Sequence, residues 1–385
     1  MIDWHAPMQQ TFDFYLVDPS TWTDKQKLAY VTKGKILRDL SAETLGSASF
    51  NVTEDNGEYY IRTYLVVTQD GQTERFPLGV HLCQTSDNQY DGKNNDISID
   101  AYTPLLELKD NSPDFGYTVM STSNVLNAAY LLLRSSIRAP IVKSSDTATV
   151  GTNFSANLDD NYLTFIKDLL DIANYELALD DWGRVLFSPK IDISSMRPVY
   201  TFDDGNSSIL YPEVTKSRDL YGIPNAVEVI YSQDDSLFYA RVENHDPSSP
   251  VSIATRGRVV LHRDTNPNLP GTPTQSAIES YARTLLRDMS SLEYKITYTH
   301  GFIPTVSVGD CVRLNYERAG LENVRAKVIK QTITLEPGCP VEETSVYTEY
   351  LWTGKQARIR YVVGDWDAYI LADSDGSLIL GEAYV

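Results

Sequence analysis

The sequence predicts a mainly β protein in which two β regions bracket an inserted α+β segment. Three observations support this fold class. Residues 1–117 and the stretch after residue 296 alternate apolar and polar side chains with the period of two that strands require, whereas residues 123–173 repeat apolar side chains at helical spacing. At 385 residues, the chain exceeds the ~250–300 residues at which a single core stops growing, so we expect two or three domains.

The first β region, residues 1–117, contains five strand-like runs: KLAYVTKGKIL, SASFNVTED, EYYIRTYLVVTQ, TERFPLGVHLCQT and NDISIDAYTPLLEL. Between them lie EDNGE, QDGQ and YDGKNN, which have the Asn/Asp-Gly chemistry of hairpin turns. Strands at this spacing predict a small barrel or sandwich, which we expect strands from about 196–240 to complete. Pro77 and Gly79 are predicted to mark a turn and the start of a strand.

The insert, residues 118–195, is predicted to hold two helices and a hairpin. Ser123 is the expected N-cap of the first helix. The helical spacing places one apolar face on each helix: Leu126, Ala129, Tyr130 and Leu133 on the first, and Leu163, Ile166, Leu170 and Ala173 on the second. A hairpin follows, with its turn at Asp181–Gly183.

The middle segment, residues 241–295, begins at the Pro- and Ser-rich loop HDPSSPVS and is predicted to contain a helix at 273–289. Thr272 is its expected N-cap, Pro273 occupies the first helical position, and Gln275 can close a capping box. The buried stripe of this helix is predicted to contain Ile278, Tyr281, Ala282, Leu285 and Met289.

The second β region, residues 296–352, contains IPTVSVGDCVRLNYERAG, which predicts two strands joined by a tight turn at Gly309-Asp310. The run RAKVIKQTITLEP predicts a further strand, ending at the turn PGCP. Residues 353–385 form a C-terminal extension in which an Asp-Gly turn joins two short strands, AYILAD and SLIL. This hairpin either adds to a sheet of a neighbouring subunit or packs on its own subunit, and the sequence favours neither alternative.

Composition excludes several classes of protein. The net charge of −19 argues against a nucleic-acid partner held by basic contacts, although DNA can pass along an acidic wall without being gripped. The three cysteines, Cys83, Cys311 and Cys339, form no CxxC pair and predict neither a disulfide framework nor a zinc site. The N-terminal segment has no secretory signal pattern, and no apolar run reaches the ~18–20 residues of a membrane span, so we expect folding in a reducing cytosol.

No catalytic, cofactor-binding or metal-binding residues are predicted. The chain lacks GxSxG, HExxH, Walker and GxGxxG motifs, and its five histidines are scattered. Adjacent carboxylates such as Asp180-Asp181 are typical of turns and caps, whereas a glycosidase needs two carboxylates ~5–10 Å apart in a cleft. The loops at 91–96 and 373–377 lack the distal Glu of an EF-hand, so turns explain them better than calcium sites. We therefore expect a protein that is not an enzyme.

Several segments together resemble one family. ERFPLGVHLCQT followed by DISIDAYTPLLELKDN is similar to the first barrel of the baseplate or tail-tip hub proteins of long-tailed bacteriophages. Thr103 stands where that family often has an acidic residue after the tyrosine. FIKDLLDIANYELALDDWGRVLFSP resembles the small α+β domain of the family, PNAVEVIYSQ and SAIESYARTLLRDM its middle section, and PTVSVGDCVRL with VRAKVIKQTITLEPG its second barrel. The resemblance covers roughly residues 28–350 and extends to hubs of contractile injection systems and to the type VI spike core.

The resemblance implies two small β-barrel domains bracketing a helix-hairpin domain. It also implies a homotrimer whose six barrels form a pseudo-sixfold ring, joining a hexameric tail tube to a trimeric tip in the virion tail and letting DNA pass. The implied partners are a distal tail or tail tube protein, the tape measure protein and a tail fibre or tip protein. Gly309 and Asp310 would then form a structural turn.

Other functions stay open on the sequence. The same scaffold serves as the hub of a phage-derived contractile injection particle. A tail-associated cell-wall hydrolase and a carbohydrate-binding protein that uses some of the 25 tyrosines are alternatives from other classes.

Overall fold

The computed structural model describes residues 2–54, 57–90, 92–93, 95–205, 208–233, 236–265, 267, 274–363, 370–373 and 378–379. The first twelve strands are β1 Gln9–Val17, β2 Asp24–Lys27, β3 Val31–Asp39, β4 Gly46–Val52, β5 Tyr59–Gln69, β6 Gln72–Tyr90, β7 Asn95–Tyr102, β8 Thr118–Val119, β9 Phe154–Ser155, β10 Tyr175–Leu179, β11 Val185–Pro189 and β12 Tyr200–Asp203. The others are β13 Leu210–Arg218, β14 Ala226–Gln233, β15 Ser236–Asn244, β16 Leu261–Asp264, β17 Ser291–Gly301, β18 Cys311–Tyr316, β19 Leu321–Thr334, β20 Pro340–Tyr350, β21 Ala357–Val363, β22 Ile370–Asp373 and β23 Leu378–Ile379. The helices are α1 Leu106–Lys109, α2 Val125–Ser136, α3 Tyr162–Asp171, α4 Ile253–Arg256 and α5 Gln275–Met289, with short 3₁₀ turns at Ile193–Ser195 and Glu317–Ala319.

The chain divides into two compact units. Unit 1 contains residues 1–215 and 296–346, and unit 2 contains residues 216–295 and 347–385. The fold is mainly β, as predicted, and most of its strand pairs are antiparallel.

A large sheet forms the framework of unit 1, with the strand order β19-β3-β4-β7-β6-β5-β1-β2. Strand β19 pairs antiparallel with β3, and β20 and β18 pair antiparallel with β19. The first and second β regions therefore share one sheet.

The strands within 196–240, which were predicted to complete the first β region, do not pair directly with any strand of residues 1–117 in the described structure. Strand β12 pairs in parallel with β18 of the second β region, and β14 and β15 lie in the sheet of unit 2. The reason is that β3 already has β4 on one side and β19 on the other, so no edge remains there for these strands.

Residues 118–195 of unit 1 contain helices α2 and α3 and the hairpin β10–β11. Helices α2 and α3 pack together with the hairpin β10–β11 over a core that includes Leu126, Ala129, Leu133, Leu163, Phe165, Ile166 and Leu170. The N-cap of α2 is Asn124, not Ser123, because the Asn124 side chain accepts the backbone N–H of Asn127 and donates to the carbonyl of Asp146 at 2.6 Å. Helix α3 begins with a capping box between Asn161 and Thr164.

The turn of the hairpin β10–β11 packs closely against the first β region. Gly183 has a positive φ of 73°, and a Cβ there would lie 2.6 Å from the Cβ of Val80. The Trp22 indole N–H donates to the carbonyl of Trp182 at 3.0 Å. Only glycine combines this backbone conformation with such a close approach.

Pro77 and Gly79 lie inside strand β6, which corrects the prediction of a turn and a strand start. They flank a β-bulge, because Tyr64 pairs with Pro77, Thr63 pairs with Gly79, and Leu78 is the additional residue. Proline has no N–H to donate to a ladder and glycine accepts the φ of 131° found at Gly79, which is why the bulge forms there.

The hairpin predicted around Gly309-Asp310 is also corrected. No strand immediately precedes this pair, because β17 ends at Gly301 and turns follow, while β18 begins at Cys311. Pro304 has no N–H for a ladder, and the Val306 N–H donates back to Ile303. The hairpin of this region joins β18 to β19 through the turn that ends at Gly320.

Unit 2 contains a sheet with the order β16-β14-β15-β21-β22-β23. Helix α5 covers one face of it through a core that includes Val227, Val229, Ala240, Val242, Ile278, Ala282, Leu286 and Trp352. The N-cap of α5 is Thr274, whose hydroxyl accepts the Ala277 N–H, so the helix starts later than predicted; Thr272 and Pro273 lie outside the described residues.

The C-terminal strands of unit 2 pair with their own chain. Strand β21 pairs with β15, β22 with β21 and β23 with β22, all antiparallel. The Asp-Gly turn of the extension, at 374–377, lies outside the described residues, as do Asp91 and Asn94 of the other acidic loop.

A second feature of unit 2 is a row of charges on β14, β15 and β16, which we call the charged ladder. Arg241 contacts the carboxylates of Glu228 at 3.0 Å and Glu243 at 2.8 Å, and Arg263 contacts Glu228 at 2.8 Å. Both glutamates are almost fully covered, whereas the Arg263 side chain is 56% exposed.

Candidate functional site

The central feature of unit 1 is a buried polar network, which we call the junction. Its first part is the guanidinium of Arg38, on strand β3. Its Nη2 atom forms an ion pair with Asp181 Oδ1 at 2.7 Å and donates to the carbonyl of Leu78 at 3.0 Å. Nη1 lies 3.3 Å from Ser307 Oγ and 3.4 Å from Gln331 Oε1. One side chain thus contacts the bulge of β6, the hairpin turn of the α+β segment, the turn before β18, and strand β19.

The second part of the junction is the carboxylate of Glu343, on β20, which has no solvent exposure. Gln331 Nε2 donates to Glu343 Oε2 at 2.8 Å, so Gln331 links Glu343 to Arg38. The Tyr298 hydroxyl donates to Glu343 Oε1, and His300 Nε2 lies 3.2 Å from Glu343 Oε2. Burial, with the Glu343 charge, raises the pKa of Tyr298 well above its usual value, so this hydroxyl stays a donor.

The His300 ring links two acceptors of the junction. Nδ1 lies 2.7 Å from the carbonyl of Gly301, which can only accept, and Nε2 faces the Glu343 carboxylate. The Phe202 ring packs against this pair, with its centroid 4.5 Å from that of His300.

A small cavity of about 60 Å³ borders the Arg38 end of the junction, and its walls include Gly79, His81, Thr103, Asp181 and Ser307. Burial, with a smaller contribution from the Arg38 charge, lowers the pKa of His81 to about 3, so its imidazole is neutral. The volume suits a few water molecules and is far below the ~300–1,000 Å³ of a typical ligand site.

The residues predicted as structural markers lie around the junction. The Leu78 carbonyl that Arg38 binds lies between Pro77 and Gly79. Asp310 closes the turn that presents Ser307, because its Oδ2 accepts the Ser307 N–H at 2.8 Å. Burial raises the pKa of Asp310; the Ser307 hydrogen bond opposes this shift, and the Asp181 and Glu343 charges add smaller increases.

Gly309 belongs to the same turn. Its φ of 97° suits glycine, and its N–H donates to the Val328 carbonyl at 2.8 Å. This bond ties the turn to β19 at the point where β18 begins.

Sequence reasoning missed Arg38, Gln331 and Glu343. One signal was available, because Val341, Glu343 and Ser345 share a strand parity with Val341 facing the core, which places Glu343 inside. The partners of an inward carboxylate come from segments distant in sequence, and a single sequence does not name them.

The junction holds segments together and offers no opening for a substrate at its carboxylate. Glu343 and His300 are 0% and 1% exposed, so their atoms serve each other. In the part of the chain that the structure describes, no three His, Cys, Asp or Glu side chains are grouped closely enough to hold a metal ion. Nor does a helix there have the length and apolar character needed to cross a membrane.

Comparison with known proteins identifies the fold. No protein-family model matches the sequence, and no curated protein sequence matches it. Among solved structures, the tail protein from Neisseria meningitidis MC58 is similar, with a TM-score of 0.58 and 13% identity over 88% of this chain and 96% of that one. The 43 kDa tail protein of prophage MuSo2 from Shewanella oneidensis has a TM-score of 0.57 and 12% identity, over 87% and 98% of the two chains.

A third similar structure comes from the Francisella PdpA-VgrG complex, with a TM-score of 0.51 and 10% identity over 89% of this chain and 57% of that one. At these identities the likeness shows the fold. The chain has the mainly β fold of these tail proteins, over nearly the whole length of the first two.

Proposed function

We propose that this protein is a structural hub at the distal end of a bacteriophage tail. One observation carries the proposal: the fold matches two phage-type tail proteins over 96% and 98% of their lengths, with 88% and 87% of this chain included. The sequence segments that resemble baseplate hubs point the same way independently. The location that follows is the tail tip of the virion.

In this proposal the hub is a homotrimer. The β regions at 1–117 and 296–352 are its two barrel-type domains, and the segment at 118–195 is its helix-hairpin domain. Three copies of two similar β domains make a pseudo-sixfold ring, which can stack on a hexameric tail tube while matching a trimeric tip. The partners are the tube or distal tail protein, the tape measure protein, and a fibre or tip protein.

The junction supports this role. A ring part must hold its two β regions in a fixed relation, and Arg38 and Glu343 join both regions to the α+β hairpin by charged contacts. The net charge of −19 also suits a ring through which DNA passes without being bound. The proposed role is structural rather than enzymatic, because the charged groups at the centre of unit 1 are buried against one another.

The testing experiment is the mass of the purified protein by light scattering, followed by class averages from electron microscopy. We expect three times the chain mass of 43.2 kDa and a ring with an open centre and six lobes. A protein that stays monomeric as its concentration rises, without rings in the averages, would contradict the homotrimer.

A second measurement separates the alternatives. Antibodies against the chain should label the tail tips of DNA-filled particles if it is a phage hub, and DNA-free contractile particles if it belongs to an injection system. Release of soluble sugars from host cell walls by the pure protein would instead favour the hydrolase.

A further inference from the structure

The hairpin β6–β7 has an open strand edge. Strand β5 pairs with β6 only as far as Cys83, and a second bulge follows, because Cys83 pairs with Ala101 and Thr85 with Asp100. Beyond Gln84, the described part of β6 pairs with β7 alone. All seven residues from Gln84 to Tyr90 are exposed, so a stretch of about 23 Å has no strand of the described residues paired to one side.

This edge has less protection than the other edges of the sheet. Natural sheets guard exposed edges with short strands, charged side chains (especially lysine), prolines, bulges or covering segments. The terminal strand β2 of the same sheet is four residues long and carries Lys25 and Lys27, and β13 carries Pro212 and Lys216. The open edge reads QTSDNQY, with neither lysine nor proline, and its protection is the bulge at Gln84 and one charge, Asp87. A weakly guarded edge of this length is a ready template for an added strand.

One face of the hairpin is acidic. The cross-strand pairs are Thr85 with Asp100, Asp87 with Ser98, and Gln89 with Asp96. Because paired residues share a face and alternate residues repeat on it, Asp87, Asp96 and Asp100 point to the same side. All three are exposed. A strand added beside β6 would place every second side chain next to this acidic row.

The charges distinguish between possible occupants. In a two-fold antiparallel pair of identical edges, full overlap puts Asp87 directly opposite Asp87, which is destabilising. A basic partner avoids this repulsion and adds attraction to the acidic row.

We propose that the edge Gln84–Tyr90 accepts an extended basic segment of a partner protein as an added strand, with lysine or arginine at alternate positions beside Asp87. The incoming backbone satisfies the open edge, and its basic side chains select the partner. The other face, with Gln84, Ser86, Asn88 and Tyr90, receives polar or aromatic side chains. Neither the open edge nor its acidic row depends on trimer formation.

The test uses the full-length protein and three synthetic seven-residue peptides. The first alternates lysine with threonine and valine, the second has glutamate for lysine, and the third is the lysine peptide with every backbone nitrogen methylated. Hydrogen exchange followed by mass spectrometry reads the amides of residues 84–90. We expect the lysine peptide to slow exchange at roughly half of them, because alternate N–H groups point to the open edge.

Two variants complete the test. Asp87→Lys should lose the response to the lysine peptide and gain one to the glutamate peptide, whereas Asp114→Lys, at an exposed carboxylate elsewhere in unit 1, should respond like the unmodified protein. An equal effect of the methylated peptide, or a preference that Asp87→Lys leaves unchanged, would overturn the proposal. The absence of any protection from exchange would also overturn the proposal. So would a mass of the protein in solution that Asp87→Lys changes and Asp114→Lys does not, since a second copy would then occupy the edge. The trimer mass is a separate readout, so failure of either proposal is visible without the other.

Discussion

The junction of unit 1 and the charged ladder of unit 2 hold buried carboxylates in different ways. Glu343 is fully buried, and its partners Tyr298, His300 and Gln331 are fixed inside the protein. Glu228 and Glu243 are 6% and 3% exposed. Glu228 is covered by Arg241 and Arg263 from the neighbouring strands β15 and β16, and Glu243 by Arg241 of its own strand; both arginines are partly exposed.

The two arrangements differ in how far apart in the sequence the contacting residues lie. The ladder joins residues that the strand register already places side by side, such as Glu228 and Arg241. The junction joins segments separated by up to 293 residues, as in the contact of Arg38 with Gln331. Losing a ladder contact should leave the sheet in place, whereas losing the junction should loosen the packing of one region on another.

The largest expected effect follows from Glu343→Ala. It leaves the His300 ring and the Tyr298 and Gln331 donors buried without their acceptor, which costs about 3–5 kcal/mol of the free energy of unfolding, since each buried group left unsatisfied costs about 1–3 kcal/mol. Glu228→Ala is the matched change in the ladder and should cost only about 1–2 kcal/mol, because Arg263 can turn into solvent.

Urea unfolding combined with hydrogen exchange measures the two costs separately, because the units need not unfold together. Exchange should accelerate in residues 296–346 for Glu343→Ala and in residues 226–244 for Glu228→Ala. Equal losses in free energy of unfolding for Glu343→Ala and Glu228→Ala would show that burial of the partner side chains does not determine the size of the loss.

The same contrast explains what the sequence could predict. Helices α2 and α3 and the hairpin β10–β11 follow from local periodicity and turn residues, and they form as predicted. The N-caps predicted at Ser123 and Thr272 are wrong by one and two residues, because neighbouring residues offer competing caps. The hairpin predicted at Gly309-Asp310 is wrong by more, since the hairpin of that region turns at Glu317–Gly320.

The pairing of β19 with β3 and the contacts of Arg38 were not predictable. They join residues hundreds of positions apart, and local patterns leave such choices open. The mainly β character of the fold was therefore accessible from the sequence, whereas of the candidate site only the markers Pro77, Gly79, Gly309 and Asp310 were named, and none of their contacts.

An intermediate effect is expected from pH at the Arg38 end of the junction. The pKa of His81 is lowered to about 3 in the folded protein against about 6.5 when unfolded, so the unfolded state binds a proton first as the pH falls. The contribution of His81 to the free energy of unfolding is constant above about pH 6.5. Below that pH it is lost progressively, and the loss reaches about 2 kcal/mol at pH 5.

Urea unfolding at pH 7.5 and pH 5 measures this loss. His81→Gln should remove about that much of the difference between the two pH values, and His5→Gln, at an exposed histidine of unit 1, should leave it unchanged. A pH response that survives His81→Gln would place the titrating group elsewhere.

The smallest effect concerns Asp310, where the junction meets the turn before β18. Burial, with the Asp181 and Glu343 charges, raises the pKa of Asp310, so its ionised form is disfavoured in the folded protein. This cost in free energy of unfolding appears as the pH rises from the unfolded pKa near 3.8 through the raised value, and is constant above it.

Asp310→Asn removes the charge, while its amide oxygen can still accept the Ser307 N–H. We expect a gain in stability below about 1 kcal/mol at pH 8, vanishing near pH 3.8. Asp310→Ala loses the acceptor and should destabilise at both pH values, so a gain for alanine equal to that for asparagine would show that the turn does not need this hydrogen bond.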